Sequence, residues 1–228
     1  RERTGGVDGL LTRRLSNGVG GCGTSASRSS KRACSVHRLL TRRLSHWRLE
    51  SWSISGKRTL RLSDGSVFWG KALGKKATFA AELCFNTGLT GYQEVMTDPS
   101  YAGQAITFTF PHIGNVGTND EAIECLTAHA RGAVLAADIT LPSSWREQQH
   151  FNDWLISQGL PAICGVDTRE ITRKLRDGGA LGCVILHQEA DGNINLEAGK
   201  AVLDAWAGLE GADLAAEVGG AAAVAGAE

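Results

Sequence analysis

Apolar and polar positions begin to alternate near residue 59. Residues 59–62 (TLRL) and 67–69 (VFW) flank Ser63, Asp64, Gly65 and Ser66, so a β-hairpin with a glycine-containing turn is predicted there. Residues 79–85 (FAAELCF) give a third strand candidate and residues 105–110 (AITFTF) a fourth. The fourth alternates apolar with hydroxyl side chains, the pattern of a half-buried strand, and Pro111 ends it. The unbroken apolar run at residues 132–137 (GAVLAA) fits a strand covered on both faces.

From residue 144 the period changes. Ser144 and Glu147 form a capping-box pattern, and Trp145, Phe151, Trp154 and Leu155 recur at helical spacing before Gly159. Residues 161–166 (PAICGV) read as a short buried strand. Asp167 and Glu170 are a second cap pair, opening a helix that turns Ile171 and Leu175 inward and stops at Gly178-Gly179. A strand at residues 183–186 and a helix at residues 196–206 complete the pattern. Strands first and helix-strand alternation later predict a mixed α/β domain with helices covering a sheet.

The densest turn chemistry lies in residues 85–120. Asn86-Thr87-Gly88 and Thr90-Gly91 supply positions where positive φ costs little, and Asp98-Pro99-Ser100 is a turn in which the aspartate can bond the backbone two residues on. Composition changes this picture mainly at the start of the chain. The 228 residues carry 24 basic and 24 acidic side chains, but residues 1–59 hold 13 Lys+Arg against 3 Asp+Glu, leaving 11 against 21 for residues 60–228. The two parts therefore carry +10 and −10, an asymmetry that separates a basic arm from an acidic domain.

Residues 1–58 show neither helical nor strand period, and their repeat of LLTRRLS at residues 10–16 and 39–45 is too short for a solenoid. They are expected to be a disordered or spurious extension; an organelle transit peptide or a nucleic-acid-binding arm are the alternatives. Residues 219–228, almost all Gly and Ala, are expected to be a disordered tail. No stretch approaches 18 consecutive apolar residues, so no membrane span is expected. The cysteines at 22, 34, 84, 125, 164 and 183 form no C-x-x-C pair and suit a reducing, cytoplasmic compartment without a structural metal.

Residues 85–87 (FNT), 90–94 (TGYQE), 97–101 (TDPSY) and 111–120 (PHIGNVGTND) resemble the N-terminal domain of the small subunit of glutamine-hydrolysing carbamoyl phosphate synthetase. The likeness continues through residues 165–173, 178–183 and 208–215, and spans residues 59–218. It implies a layered β/β/α domain of the swivelling type. It also implies a docking and scaffold role beside a large subunit, whose ATP and magnesium chemistry makes carbamoyl phosphate for arginine and pyrimidine synthesis. The small subunit's glutamine amidotransferase machinery, a Cys-His-Glu set, belongs to the family's second domain. That domain is not matched here, so this chain is expected to be inactive alone and to hold no cofactor.

Two fragments imitate that machinery. Ile163-Cys164-Gly165 is similar to a nucleophile turn, and His187-Gln188-Glu189 has His-x-Glu spacing. A nucleophile elbow needs small neighbours, whereas Val166 follows two residues after Cys164 and Asp167 already begins a helix. Cys164 is thus expected to be a core residue and His187 a surface one. His112, among turn residues, is expected to be a hydrogen-bonded loop side chain. The glycines of residues 114–117 match no phosphate-loop pattern. Asp167, Thr168, Arg169 and Arg173 make a charged helix start, a solvated face or a large-subunit contact. In the resembled family the serine of the DPSY turn helps to bind glutamine across the domain boundary, which places Ser100 in that role. A turn serine bonding its own backbone is the alternative. A non-enzymatic binding protein with a nucleic-acid-binding basic arm is the competing functional expectation.

Overall fold

The computed structural model describes residues 56–216, 218 and 219; residues 1–55 of the basic extension, with its heptapeptide repeat, Cys22 and Cys34, and nearly all of the Gly/Ala tail lie outside them. The first hairpin forms as predicted: β1 (Lys57–Leu62) and β2 (Val67–Gly74) pair antiparallel with Arg61 opposite Val67. Its turn is held by Asp64, whose Oδ1 accepts from the Ser66 N–H at 2.8 Å. The strand begins at Lys57, two residues ahead of the alternation.

β3 (Ala80–Asn86), β4 (Gln104–Phe108), β5 (Gly132–Leu135) and β6 (Pro161–Cys164) follow, each parallel to the next. β7 (Leu181–His187) pairs antiparallel with both β1 and β3, and β2 with β6. The described strands therefore close a barrel in the order β1-β2-β6-β5-β4-β3-β7. Closure leaves no exposed sheet edge. This is the mixed α/β architecture expected, with the β layers joined into one continuous sheet.

Among the described residues, α1 (Tyr92–Thr97), α2 (Phe151–Ser157), α3 (Thr168–Gly178) and α4 (Leu196–Ala205) cover the barrel. Two apolar clusters result. Leu60, Leu62, Leu83, Val134, Ile163 and Ile185 form one, into which Ile171 and Leu175 of α3 pack. The other joins Ile106, Leu135 and Leu73 to Tyr92 and Met96 of α1 and Phe151, Trp154 and Leu155 of α2. α4 lies on β7, where Gly199 admits Leu186: a Cβ there would stand 2.5 Å from its Cδ1.

Two expectations are corrected. β4 is not half-buried: Thr107 is fully buried, with its Oγ1 unpartnered among the described residues. Its hydroxyl position falls on the same side as Ala105, inside the barrel, and a central parallel strand is covered on both faces. The helix predicted from Ser144 starts six residues later. Ser144 instead closes a local turn, its Oγ accepting from the Arg146 N–H, and Trp145 is 88% exposed under the Arg146 guanidinium.

The true cap of α2 is His150, whose Nδ1 accepts from the Asn152 N–H at 3.2 Å. Burial holds this imidazole below its ordinary pKa, with Asp153 opposing. The cap requires the neutral ring, so its stabilisation is complete above the unfolded value of about 6.5 and is lost as pH falls through the lower folded value. His150→Asn should keep the cap and flatten the decline in melting temperature between about pH 7 and 5. An unchanged slope would show that the cap does not titrate.

Candidate functional site

The signature segment folds into a helix, a turn and a long loop clamped together by buried polar groups. Gly91 takes φ 80°, a left-handed conformation suited to glycine, and α1 follows it directly. Gly88 needs no such conformation, because Asn86 closes that turn by accepting from the Gly88 N–H at 2.7 Å. Within α1, Tyr92 donates its hydroxyl to the Gly117 carbonyl at 2.6 Å. Gln93 exchanges two hydrogen bonds with the Asn119 backbone: its Nε2 donates to the carbonyl at 2.8 Å and its Oε1 accepts from the N–H at 2.9 Å. Thr97 Oγ1 accepts from the Glu124 N–H, and Asn119 Oδ1 from the N–H groups of Glu121 and Ala122. Most of the polar signature is thus consumed in holding the loop of residues 109–131.

Ser100 is the exception. It sits in a 3-10 turn, Pro99–Tyr101, whose entry is fixed by Asp98 Oδ1 accepting from the Ser100 N–H at 2.8 Å. The far side is tied down by Asn86, whose Nδ2 donates to the Tyr101 hydroxyl at 3.3 Å. The serine is exposed, and no described residue bonds its Oγ. The backbone, not the hydroxyl, satisfies the turn. A rigid turn with a free hydroxyl is suited to positioning a polar ligand group at low entropic cost.

The imitation catalytic residues are accounted for otherwise. Cys164 is fully buried on β6 and donates its thiol to Asp138 Oδ1 at 3.2 Å, while Asp138 Oδ2 pairs with Lys71 at 2.6 Å. Burial first, and Asp138 second, push the thiol up to about 12, so no thiolate nucleophile forms there near neutral pH. His187 at the end of β7 is hydrogen-bonded through Nδ1 to Thr78 Oγ1 at 3.2 Å, and burial lowers its pKa. His112 is exposed, its ring set edge-on to Phe110 at 5.7 Å. Asp167 caps α3 by accepting from the Glu170 N–H at 2.9 Å, which leaves Arg169 and Arg173 exposed on the helix. Among the described residues no group of three or more His, Cys, Asp or Glu could hold a metal, and no helix is long and apolar enough to cross a membrane.

One charged residue escaped the pattern reading. Arg58 is only 2% exposed and donates to the carbonyls of Ala162 at 3.1 Å and Lys75 at 2.7 Å. Burial brings its guanidinium down to about 10, still charged at neutral pH. Its place at the end of the segment read as the basic arm concealed it; the apolar Leu60 and Leu62 at the same parity were the available signal.

Fold and site together define a mixed α/β barrel domain whose signature residues build a scaffold and leave one serine turn open. The chain belongs to the family of the carbamoyl-phosphate synthase small chain, CPSase domain, whose model matches residues 60–185. It is 51% identical over 170 residues to the carbamoyl phosphate synthase small chain of Rhizobium meliloti (strain 1021), covering 72% of this chain and 42% of that relative. The corresponding protein of Agrobacterium fabrum is 51% identical over 162 residues, 69% of this chain and 40% of its own length. That of Mesorhizobium japonicum is 52% identical over 163 residues, with 70% and 41% covered. The chain therefore spans well under half the length of these curated relatives.

Proposed function

We propose that this domain is the docking and scaffold part of a carbamoyl phosphate synthase small chain, binding the large chain and supplying one edge of a glutamine site through Ser100. The observation that carries the reading is the free Ser100 hydroxyl on a turn fixed from both sides. Glutamine-derived ammonia would feed carbamoyl phosphate formation in the large chain, where ATP and magnesium would bind, for arginine and pyrimidine synthesis. The buried, Asp138-bonded Cys164 supports placing glutamine hydrolysis outside the described residues.

The test splices residues 57–216 onto the remaining part of the Rhizobium meliloti small chain and assays the assembly with its large chain. Glutamine-dependent synthesis is expected. Ser100→Ala should raise KM for glutamine about three- to tenfold, the loss of one neutral hydrogen bond, with the ammonia-dependent rate unchanged. An unaltered KM would remove Ser100 from the site. Failure of the splice to assemble would remove the docking role.

A further inference from the structure

Successive helical residues turn by about 100°, so Arg169, Arg173 and Arg176 of α3 fall within about 60° of one another on one strip of the helix. All three are exposed. With Thr109, Thr168 and Thr172 they line a groove beside the end of β4. No hydrogen bond or ion pair holds any of the three guanidinium groups among the described residues. On the next strip of the same helix, Lys174 pairs with Asp64 at 3.2 Å. The threonines do not answer the arginines either: Thr172 Oγ1 is committed to the Thr168 carbonyl at 2.7 Å, and Thr168 is buried. Three neighbouring forks stand unpaired while the neighbouring lysine is matched.

We infer that this strip is an interaction surface for carboxylate side chains on a folded partner, and that the partner is the large chain, an assignment that rests on the docking role proposed above. Guanidinium forks bind carboxylates bidentately, and a row along a helix reads acidic side chains at matching spacing. Nucleic acid suits the surface less well. Residues 60–228 carry 11 basic against 21 acidic side chains, and Asp177 lies in the same groove. A long polyanion would be repelled around the strip, whereas a local acidic patch would meet three arginines against the single Asp177 of the groove.

The experiment measures binding of the full chain to a purified carbamoyl phosphate synthase large chain at low and high salt. Arg173→Glu is compared with Lys200→Glu, an equal change of net charge on the exposed face of α4. Arg173→Glu should weaken binding at least about tenfold and reduce its salt dependence, with Lys200→Glu within about twofold of the parent. Because Arg173 has no hydrogen-bond or ion-pair partner among the described residues, the melting temperature of Arg173→Glu should match the parent's. Wild-type binding that Arg173→Glu leaves intact overturns the surface assignment and spares the docking role; no wild-type binding overturns both. Equal losses in the two variants would mean a net-charge effect and overturn the assignment. So would binding of a single-stranded 20-mer oligonucleotide that Arg173→Glu abolishes while large-chain binding persists.

Discussion

Gln93→Met is expected to lower the unfolding free energy by about 2–6 kcal/mol, because each of the two Asn119 backbone groups it strands in the interior costs about 1–3 kcal/mol. Methionine preserves length and burial but can neither donate to the Asn119 carbonyl nor accept from its N–H, the two bonds that Gln93 makes at 2.8 and 2.9 Å. The damage should begin locally. The loop of residues 109–131 hangs on α1 through this pair, through Thr97 Oγ1, and through the Met96 carbonyl, which accepts from the N–H groups of His129 and Ala130. Hydrogen exchange should therefore accelerate across residues 118–130 before it changes in β1 and β2. Gln93→Glu provides a sign test. Its carboxylate can still accept from the Asn119 N–H but faces the Asn119 carbonyl without a proton, so its folded pKa must rise above the unfolded value of about 4.3. Stability in that variant is present at low pH and lost as pH rises through the raised value; the gap to wild type should narrow on acidification. A urea midpoint for Gln93→Met equal to the parent's would show that the pair does not hold the loop.

That clamp also shows where sequence reading stops. Elements whose information is local were found: the Asp64 turn of the first hairpin, the Asp98 turn, and the Asp167 cap of α3 all rest on side chains bonding backbone two or three residues away. What was missed depends on distant partners. Gln93 and Asn119 stand 26 residues apart, and the pairing of β1 with β7 that closes the barrel sets Arg58 opposite His187. Alternation marked Thr107 as outward because a hydroxyl usually faces water, and only closure of the sheet places it inside. The helix predicted from Ser144 is capped instead at His150, just after the Thr118–Gln149 bridge that pins residues 118 and 149 together. Ser100 was visible as a turn residue; that its hydroxyl stays free required seeing Asp98 take the backbone N–H and Asn86 take Tyr101.

Gly74→Ala should cost about 3–5 kcal/mol, measured as a fall in the urea midpoint, while Gly65→Ala costs about 1–2 kcal/mol. Both glycines adopt the left-handed conformation, with φ 66° at Gly74 and φ 88° at Gly65, so both substitutions incur the same kind of backbone strain. Their surroundings differ. A Cβ on Gly65 would meet nothing within 4 Å, whereas one on Gly74 would stand 2.2 Å from the Leu160 carbonyl oxygen and 3.3 Å from Leu155 Cβ. That carbonyl is not free to retreat, because it accepts from the Lys75 N–H at 2.8 Å. The Gly74 N–H is likewise engaged, donating to Asn152 Oδ1 on α2 at 2.8 Å. Relief of the clash must therefore break a contact at the junction of β2, α2 and β6, next to the fully buried Leu155 and Ala162. The difference between the two variants isolates crowding from strain. Equal losses at the two positions would mean that the approach of β2 to residue 160 is looser than this geometry requires, and that the barrel closes there without the glycine.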